Sequence, residues 1–345
     1  MNLALLLVFQ LVSGQGQVRR FIDRLEPFVK KIPIDYNGDG GNGGHDYMRY
    51  VISKALPSAA RLLNQYYDSD PPRRTNLRFS SSSVSEVMAS FNASLVSMCP
   101  MRMLNRNLCT VSSTYSDVTV LEEKSVDAVV VVMANNRQSK IVVSYRATVS
   151  AQNWLDNFNA ELVDVPTAPE GVKVHRGIYL NYLATFNKVR GALKKLLDDH
   201  RFKDYSVLVT GYSLGGGAAY IAMSDITRFV RARQDPRHVE LITFAAPRTG
   251  NPAYAAYLAS LKVPVTRLTL SFDSIPHLPF RSSGYTHGGQ EIHVIQPEQI
   301  GRYSIKVCSQ EYDEDPACAW SESDAVTITR HEYPFGAPYP KPPLS

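Results

Sequence analysis

From about Val84 onward, short runs of β-branched and apolar residues alternate with longer stretches whose apolar positions recur every three or four residues. The short runs are Val126–Met133, Ile141–Tyr145, Tyr205–Thr210, Glu240–Phe244, Val265–Phe272 and Ile292–Ile295. All read as strands, with a turn at Asn135-Asn136 between the first two. The longer stretches, Val84–Met98, Tyr179–Asp199, Gly215–Arg231 and Pro252–Leu261, read as helices. In the second of them Tyr179, Tyr182, Leu183, Phe186, Val189, Leu193, Leu196 and Leu197 follow a helical period. Strands and helices in this alternation predict an α/β fold, a mostly parallel central sheet flanked by helices.

The first part of the chain has a different pattern. Leu3–Val12 is a nearly continuous apolar run, followed by the small pair Ser13-Gly14. It is too short to span a bilayer and suits a signal peptide over residues 1–14. Residues 15–83 form an N-terminal, mainly helical extension and linker. In it two apolar-periodic stretches, Phe21–Ile32 and Tyr47–Tyr67, flank a glycine-rich turn, and Ser69–Ser83 is polar. The segment Asp35–Asp46 places oxygen-bearing side chains near glycines, as a calcium loop does. Its twelfth position is Asp rather than Glu, Asn42 stands at an apolar position and Pro33 interrupts the entering helix, so a glycine-rich surface loop is preferred to a calcium site. Residues 84–345 then form the α/β domain.

Composition narrows the class. The 345 residues are 44% hydrophobic and 20% charged, enough for a sizeable core, and the net charge is +5. The densest basic run, Arg228, Arg231, Arg233 and Arg237, fits a solvated helix face better than a nucleic-acid site. No further stretch approaches the apolar length of a membrane span. Four cysteines fall as two close pairs, for which the bridges Cys99–Cys109 and Cys308–Cys318 are the simplest of three pairings. Each would add roughly 2–3 kcal/mol by restricting the unfolded chain. Asn92-Ala93-Ser94 is a glycosylation acceptor pattern, which with the disulfides suits a secreted, extracellular protein.

The chemistry centres on Gly211-Tyr212-Ser213-Leu214-Gly215, which fits G-x-S-x-G between a strand and a helix. A sharp turn there exposes a serine oxygen, and glycines two residues to either side avoid clashes. A serine hydroxyl at neutral pH needs a neighbouring base, itself oriented by a carboxylate, and in this arrangement the acid and then the base follow the serine. Asp273 stands at the end of a strand pattern and suits the acid. Four histidines follow it: His277, His287, His293 and His331. On the residues alone His331 ranks ahead of His287, with His293 inside a strand pattern and His277 too close to Asp273.

A wider set of motifs bears on that choice. Val143-Ser-Tyr-Arg-Ala-Thr148, Asn153-Trp154, Val174-His175-Arg-Gly177 and Gly211-Tyr-Ser-Leu-Gly-Gly216 precede Thr243-Phe-Ala-Ala-Pro-Arg-Thr-Gly-Asn251. Asp273-Ser-Ile-Pro-His-Leu-Pro279, Gly284-Tyr-Thr-His287 and His331-Glu-Tyr-Pro-Phe-Gly336 follow. In this order and spacing, residues 126–336 resemble the class 3 lipases of the filamentous-fungal type, which have an α/β-hydrolase fold. The resemblance implies Ser213 as nucleophile, Asp273 as acid and His331 as base, and puts His287 in a loop near the site. It also implies an oxyanion hole from Thr148 and Leu214, and fits a Cys308–Cys318 bridge before the base. Three positions depart from the family: Ala147 for Gly, Tyr212 for the common His, and Arg330 for the Asp before the base.

Residues 150–162 follow the proposed oxyanion residue where such lipases place a lid helix. Trp154, Leu155 and Phe158 share an apolar side there, with polar Asp156, Asn157 and Asn159 between them, as suits a cover that opens onto lipid. The expectation is a hydrolase of lipid esters, foremost triacylglycerols, working at a lipid–water interface through an acyl-enzyme that requires no cofactor. A phospholipase, an esterase of soluble or feruloyl-type esters, and a catalytically weak lipid-binding protein are the alternatives.

Overall fold

Among the described residues eight strands hydrogen-bond into one sheet, and the order in which they do so sets where the reactive groups can meet. The computed structural model describes residues 114–146, 161–295, 304–310, 314–322 and 331. In chain order the strands are β1 (Tyr115–Glu123), β2 (Ala128–Asn135), β3 (Lys140–Tyr145), β4 (Leu162–Asp164), β5 (Lys173–His175), β6 (Ser206–Tyr212), β7 (Val239–Phe244), β8 (Val265–Leu270), β9 (Gln290–Ile295) and β10 (Ser304–Val307). The large sheet runs β1-β2-β3-β6-β7-β8-β9-β10, while β4 and β5 pair apart from it. From β3 to β9 every pairing is parallel; the outer pairings β1–β2, β2–β3 and β9–β10 are antiparallel. The expected parallel sheet is thus the centre of a mixed one.

Three helices connect the parallel strands: α1 (Arg176–Asp198), α2 (Leu214–Ala232) and α3 (Pro252–Ser260). Ile178, Tyr182, Val189, Leu193, Leu196 and Leu197 of α1 lie on one face and pack, with α2 and α3, on alternate residues of the strands such as Val130, Val143, Val209 and Leu241. The intervening residues, among them Val131, Met133, Val142, Leu208, Phe244, Leu268 and Val294, form a second core on the sheet's other face. Strands buried on both faces read as continuous apolar runs, which is why the inner ones are conspicuous in the sequence. β1, β4, β5 and β10 were not expected. β1 is partly exposed and irregular in register between Ser116 and Thr119, and the others are three or four residues long.

The basic run is structural. Arg228 pairs with Asp225, Arg233 with Asp198 and Arg237 with Asp235, while Arg231 donates to the Leu261 carbonyl at 2.6 Å. Among the described residues no helix is long and apolar enough to cross a membrane. The Cys308–Cys318 bridge is formed. The signal segment 1–14, the extension 15–83, the Asp35–Asp46 loop, the 84–98 helix, Asn92 and the Cys99–Cys109 pair lie outside the described residues.

Helix α1 begins on a buried histidine. The His175 side chain accepts at Nδ1 from the N–H groups of Gly177 (3.1 Å) and Ile178 (3.3 Å), filling the place usually taken by Ser, Thr, Asn or Asp. Only an unprotonated Nδ1 can do this, and burial pushes its pKa down to about 4 from the ordinary 6.5. A depressed pKa in the folded state contributes stability that is complete above about pH 6.5 and is lost as pH falls towards 4. Unfolding free energies measured by urea titration should therefore fall by about 3 kcal/mol from this site across that window. His175→Asn, which keeps a capping oxygen that does not titrate, should flatten that part of the slope. An unchanged slope in the variant would refute the assignment.

Candidate active site

The turn between β6 and α2 is built from backbone in contact with backbone. A Cβ on Gly211 would lie 2.3 Å from the Gly215 carbonyl oxygen, and one on Gly215 would lie 2.2 Å from that of Tyr145 at the end of β3. No other residue type fits either place. Ser213, between them, takes φ 55° and ψ −128°, outside the regions ordinary residues occupy. Its N–H donates to the Phe244 carbonyl at 2.8 Å, fastening the turn to β7. The side chain caps no helix N–H and is left for other work.

Asp273 lies three residues past the end of β8, at the same carboxyl edge of the parallel strands as Ser213. It is fully buried, and its Oδ1 accepts the Ile275 N–H at 2.9 Å. His331 comes from far along the chain to stand between the two. Its Nδ1 is 3.0 and 3.1 Å from the Asp273 oxygens, and its Nε2 is 2.7 Å from Ser213 Oγ. With Nδ1–H donating to the carboxylate, Nε2 presents its lone pair to the serine hydroxyl. A base so held can take the serine proton, and the carboxylate favours the resulting imidazolium. The arrangement is that of an activated oxygen nucleophile.

The other histidines are tied elsewhere. His287 Nε2 is 2.8 Å from the Pro276 carbonyl, and its backbone N–H donates to Glu314 Oε1 at 3.1 Å. Burial, with Arg267 and Arg248 nearby, keeps its pKa well below the ordinary value. His277 is buried in the loop after Asp273, and burial and then Arg248 push its pKa to about 3. His293 lies in β9 beside Thr269, 2.9 Å from its hydroxyl. Of the four, His331 is the one that reaches Ser213.

Two features of the site have no plain sequence signal. The Tyr212 hydroxyl donates to the His331 backbone carbonyl at 2.5 Å, and its ring stacks on the imidazole with centroids 5.0 Å apart. The Tyr at the position where the family commonly has His therefore fixes both the backbone and the ring plane of His331. The stacked face also suits a cationic ring, because the aromatic quadrupole is negative there. The second feature is Arg248, which forks onto Glu314 at 2.7 and 2.6 Å and donates to the His277 and Pro279 carbonyls. Burial opposes ionisation of Glu314, but the Arg248 charge and its hydrogen bonds outweigh it and hold that carboxyl far below its usual range. This buried fork links the disulfide loop to the segment that follows Asp273.

Leu214 opens α2, where backbone N–H groups have no acceptor within the helix. Thr148, Ala147, Arg330 and the apolar stripe Trp154, Leu155 and Phe158 lie outside the described residues. The close approach of Gly215 to Tyr145 and Arg146 brings the end of β3 against the start of α2. Cys308, Asp315 and Cys318 cluster closely enough to suggest a metal site, but both sulfurs are spent in the disulfide. The Asp315 carboxylate instead accepts the N–H groups of Ser309 and Ala317.

Comparison with known proteins bears on the family and the fold. Residues 142–283 match the family model described as lipase (class 3). A lipase of Rhizopus niveus is 29% identical over 182 residues, 53% of this chain and 44% of that protein. The secreted mono- and diacylglycerol lipase A of Penicillium cyclopium is 28% identical over 203 residues, 57% of this chain and 61% of its own length. The chain thus spans about half the length of the curated relatives it matches. The Rhizomucor miehei lipase–propeptide complex superposes with a TM-score of 0.67 at 22% identity, over 82% of this chain and 94% of that one, a likeness of fold. The chain has an α/β-hydrolase fold, and over residues 142–283 it is similar to the class 3 lipases.

Proposed function

We propose that the protein hydrolyses carboxylic esters of lipids, foremost triacylglycerols, with Ser213 as nucleophile, His331 as base and Asp273 as acid. The observation that carries this is the line from Asp273 through both nitrogens of His331 to the oxygen of a strained serine, the last step spanning 2.7 Å. Ser213 Oγ attacks the ester carbonyl carbon while its proton passes to His331 Nε2. The oxyanion is held by the N–H groups of Leu214 and Thr148, each worth roughly 3–4 kcal/mol of barrier. Collapse expels the alcohol, which takes the proton from His331 and leaves an acyl-Ser213. Water, deprotonated by His331, then attacks the acyl carbon, and the fatty acid leaves as the His331 proton passes to Ser213 Oγ. No metal or organic cofactor enters these steps.

Support for a lipid substrate comes from the family and from the names of the relatives, one of which is called a mono- and diacylglycerol lipase. Partial glycerides are therefore included in the proposal. Ser213 and His331 are only 8% and 9% exposed, so an ester reaches them after neighbouring chain moves aside. The stripe of Trp154, Leu155 and Phe158 is proposed as the part that does so at a lipid surface. Secretion is proposed as well, supported by the apolar run Leu3–Val12 and the Cys308–Cys318 bridge.

Ser213→Ala should abolish labelling by a fluorophosphonate probe and lower kcat on a triacylglycerol emulsion by about 10⁴-fold or more. Labelling that persists in the folded variant would sink the mechanism. Asp273→Asn should cost roughly 10⁴-fold in kcat, because an amide leaves the imidazole in the wrong tautomer. Assays on phospholipid vesicles and soluble short esters, run beside the emulsion, test the substrate: faster turnover of either would replace the acylglycerol reading. Tyr212→Phe removes the bond to the His331 carbonyl but keeps the stacking, and should lower kcat about tenfold with KM little changed. An unaltered kcat would show that the stacked ring alone holds the base.

A further inference from the structure

Five large aliphatic side chains are 37–47% exposed among the described residues: Val118, Val126, Leu180, Leu183 and Ile295. A single exposed leucine or valine is ordinary at a protein surface. Their placement is not. The sheet register fixes the edge to which each belongs. Val130 of β2 is opposite Tyr145, and Tyr145 is opposite Gly211. The turn between β1 and β2, which carries Val126, therefore lies at the edge where Ser213 follows β6. β9 runs parallel to β8 with Val294 opposite Leu270, so Ile295 ends at that same edge, where Asp273 follows β8.

Leu180 and Leu183 stand in the first eight residues of α1, three apart and hence on one face. Asn181 between them donates to the Val126 carbonyl at 3.2 Å, which sets this end of α1 against the same turn. Further down the helix, Lys188 Nζ donates to the Glu122 carbonyl at 2.7 Å and pairs with Glu123 at 3.1 Å. Helix and turn are thus fastened at two points, and the three aliphatic residues share a fixed surface. Tyr179 and Phe186, half-buried, flank Leu183 at helical spacing and widen its apolar surroundings. Of the five residues only Val118, in the middle of β1, stands away from this edge.

The layout of the four decides what can cover them. Val126 and Ile295 lie on opposite sides of Ser213, with β3, β6, β7 and β8 between their strands. At about 4.8 Å per step, the five steps from β2 to β9 span roughly 24 Å. A stable protein partner needs a continuous, closely packed patch of roughly 800 Å² on each side. A few aliphatic side chains spread over that span do not supply one. A lipid surface is fluid, and it takes up separate apolar side chains without a matching shape.

We propose that this edge is a docking face for an acylglycerol surface, entered by Val126, Leu180 and Leu183 on one side of Ser213 and by Ile295 on the other. Seated this way, the protein holds the edge that carries Ser213 against the lipid, so that an ester reaches it without crossing water. The choice of an acylglycerol rests on the ester-hydrolase reading. The face is separate from the stripe of Trp154, Leu155 and Phe158, because its residues are carried by the sheet and α1 and are exposed already.

Binding to a triolein emulsion, measured by flotation of the Ser213→Ala protein, tests docking without turnover. Leu180→Glu combined with Leu183→Glu should weaken binding about tenfold or more, and Ile295→Glu should weaken it about threefold. Val118→Glu makes the same change of charge away from this edge and should leave binding unaltered. Glutamate suits a helix, and unchanged thermal unfolding midpoints check that each variant keeps the fold. Undiminished binding in either edge variant, or equal weakening by Val118→Glu, would overturn the proposal. So would a native dimer that the two leucine substitutions make monomeric, since the face would then belong to a second copy. Turnover of a soluble short ester by the native protein tests the underlying reading separately. No turnover, together with emulsion binding that the edge variants lose, would remove the esterase and leave the docking face standing.

Discussion

The structure turns on a place where three stretches of main chain approach closely enough to exclude every side chain but hydrogen. Gly211 closes on the Gly215 carbonyl, and Gly215 closes on Tyr145 at the tip of β3. Between them Ser213 is forced into a conformation that typically costs on the order of 1–3 kcal/mol, which the flanking sheet must supply. It does so because β6 is held on both sides, by β3 and by β7, in parallel register up to Tyr145↔Gly211 and Tyr212↔Phe244. A serine on an edge strand would have no such restraint. The same contact seats the end of β3, at Tyr145 and Arg146, directly against the start of α2.

Parallel pairing carries the second group into place. Strands running the same way end at the same edge, so a residue just past β8 shares a crevice with one just past β6. The third group has no such help. His331 belongs to no strand of the sheet, and the contacts described for it come from other parts of the fold. Asp273 holds one ring nitrogen, while Tyr212 holds the ring face and the backbone carbonyl. His331 is therefore fixed by residues that are themselves fixed by the sheet, and the aromatic beside Ser213 is part of its support.

The parts of this arrangement that were legible in the sequence are those set by local rules. Buried parallel strands leave continuous apolar runs, a helix face leaves a period, and the nucleophile turn leaves glycines at set distances. Hence β6, β7, β8 and both long helices were expected within a few residues, as were the places of Ser213 in a strand-to-helix turn and of Asp273 just past a strand. β1, with polar residues and an irregular register, leaves no such trace, and neither do segments as short as β4, β5 and β10. Pairings between distant residues are also silent. Nothing in the neighbourhood of Arg248 indicates Glu314, and nothing around Tyr212 indicates the carbonyl it bonds. Those pairs are chosen by the fold, after local preferences have been satisfied.

The four histidines after Asp273 show the same division in chemical terms. A catalytic base needs one ring nitrogen bound to an acid and the other turned to the nucleophile. A structural histidine needs both nitrogens, or its burial, satisfied by groups that do not react. His287 directs Nε2 to a carbonyl, His277 is buried beside Arg248, and His293 lies between a hydroxyl and a carboxylate. In the sequence all four are equivalent as residue types, and only their spacing and the family pattern rank them. What separates them physically is the partner of the second nitrogen. For His331 alone that partner is an oxygen held at a strained turn, and the turn exists because two glycines permit it.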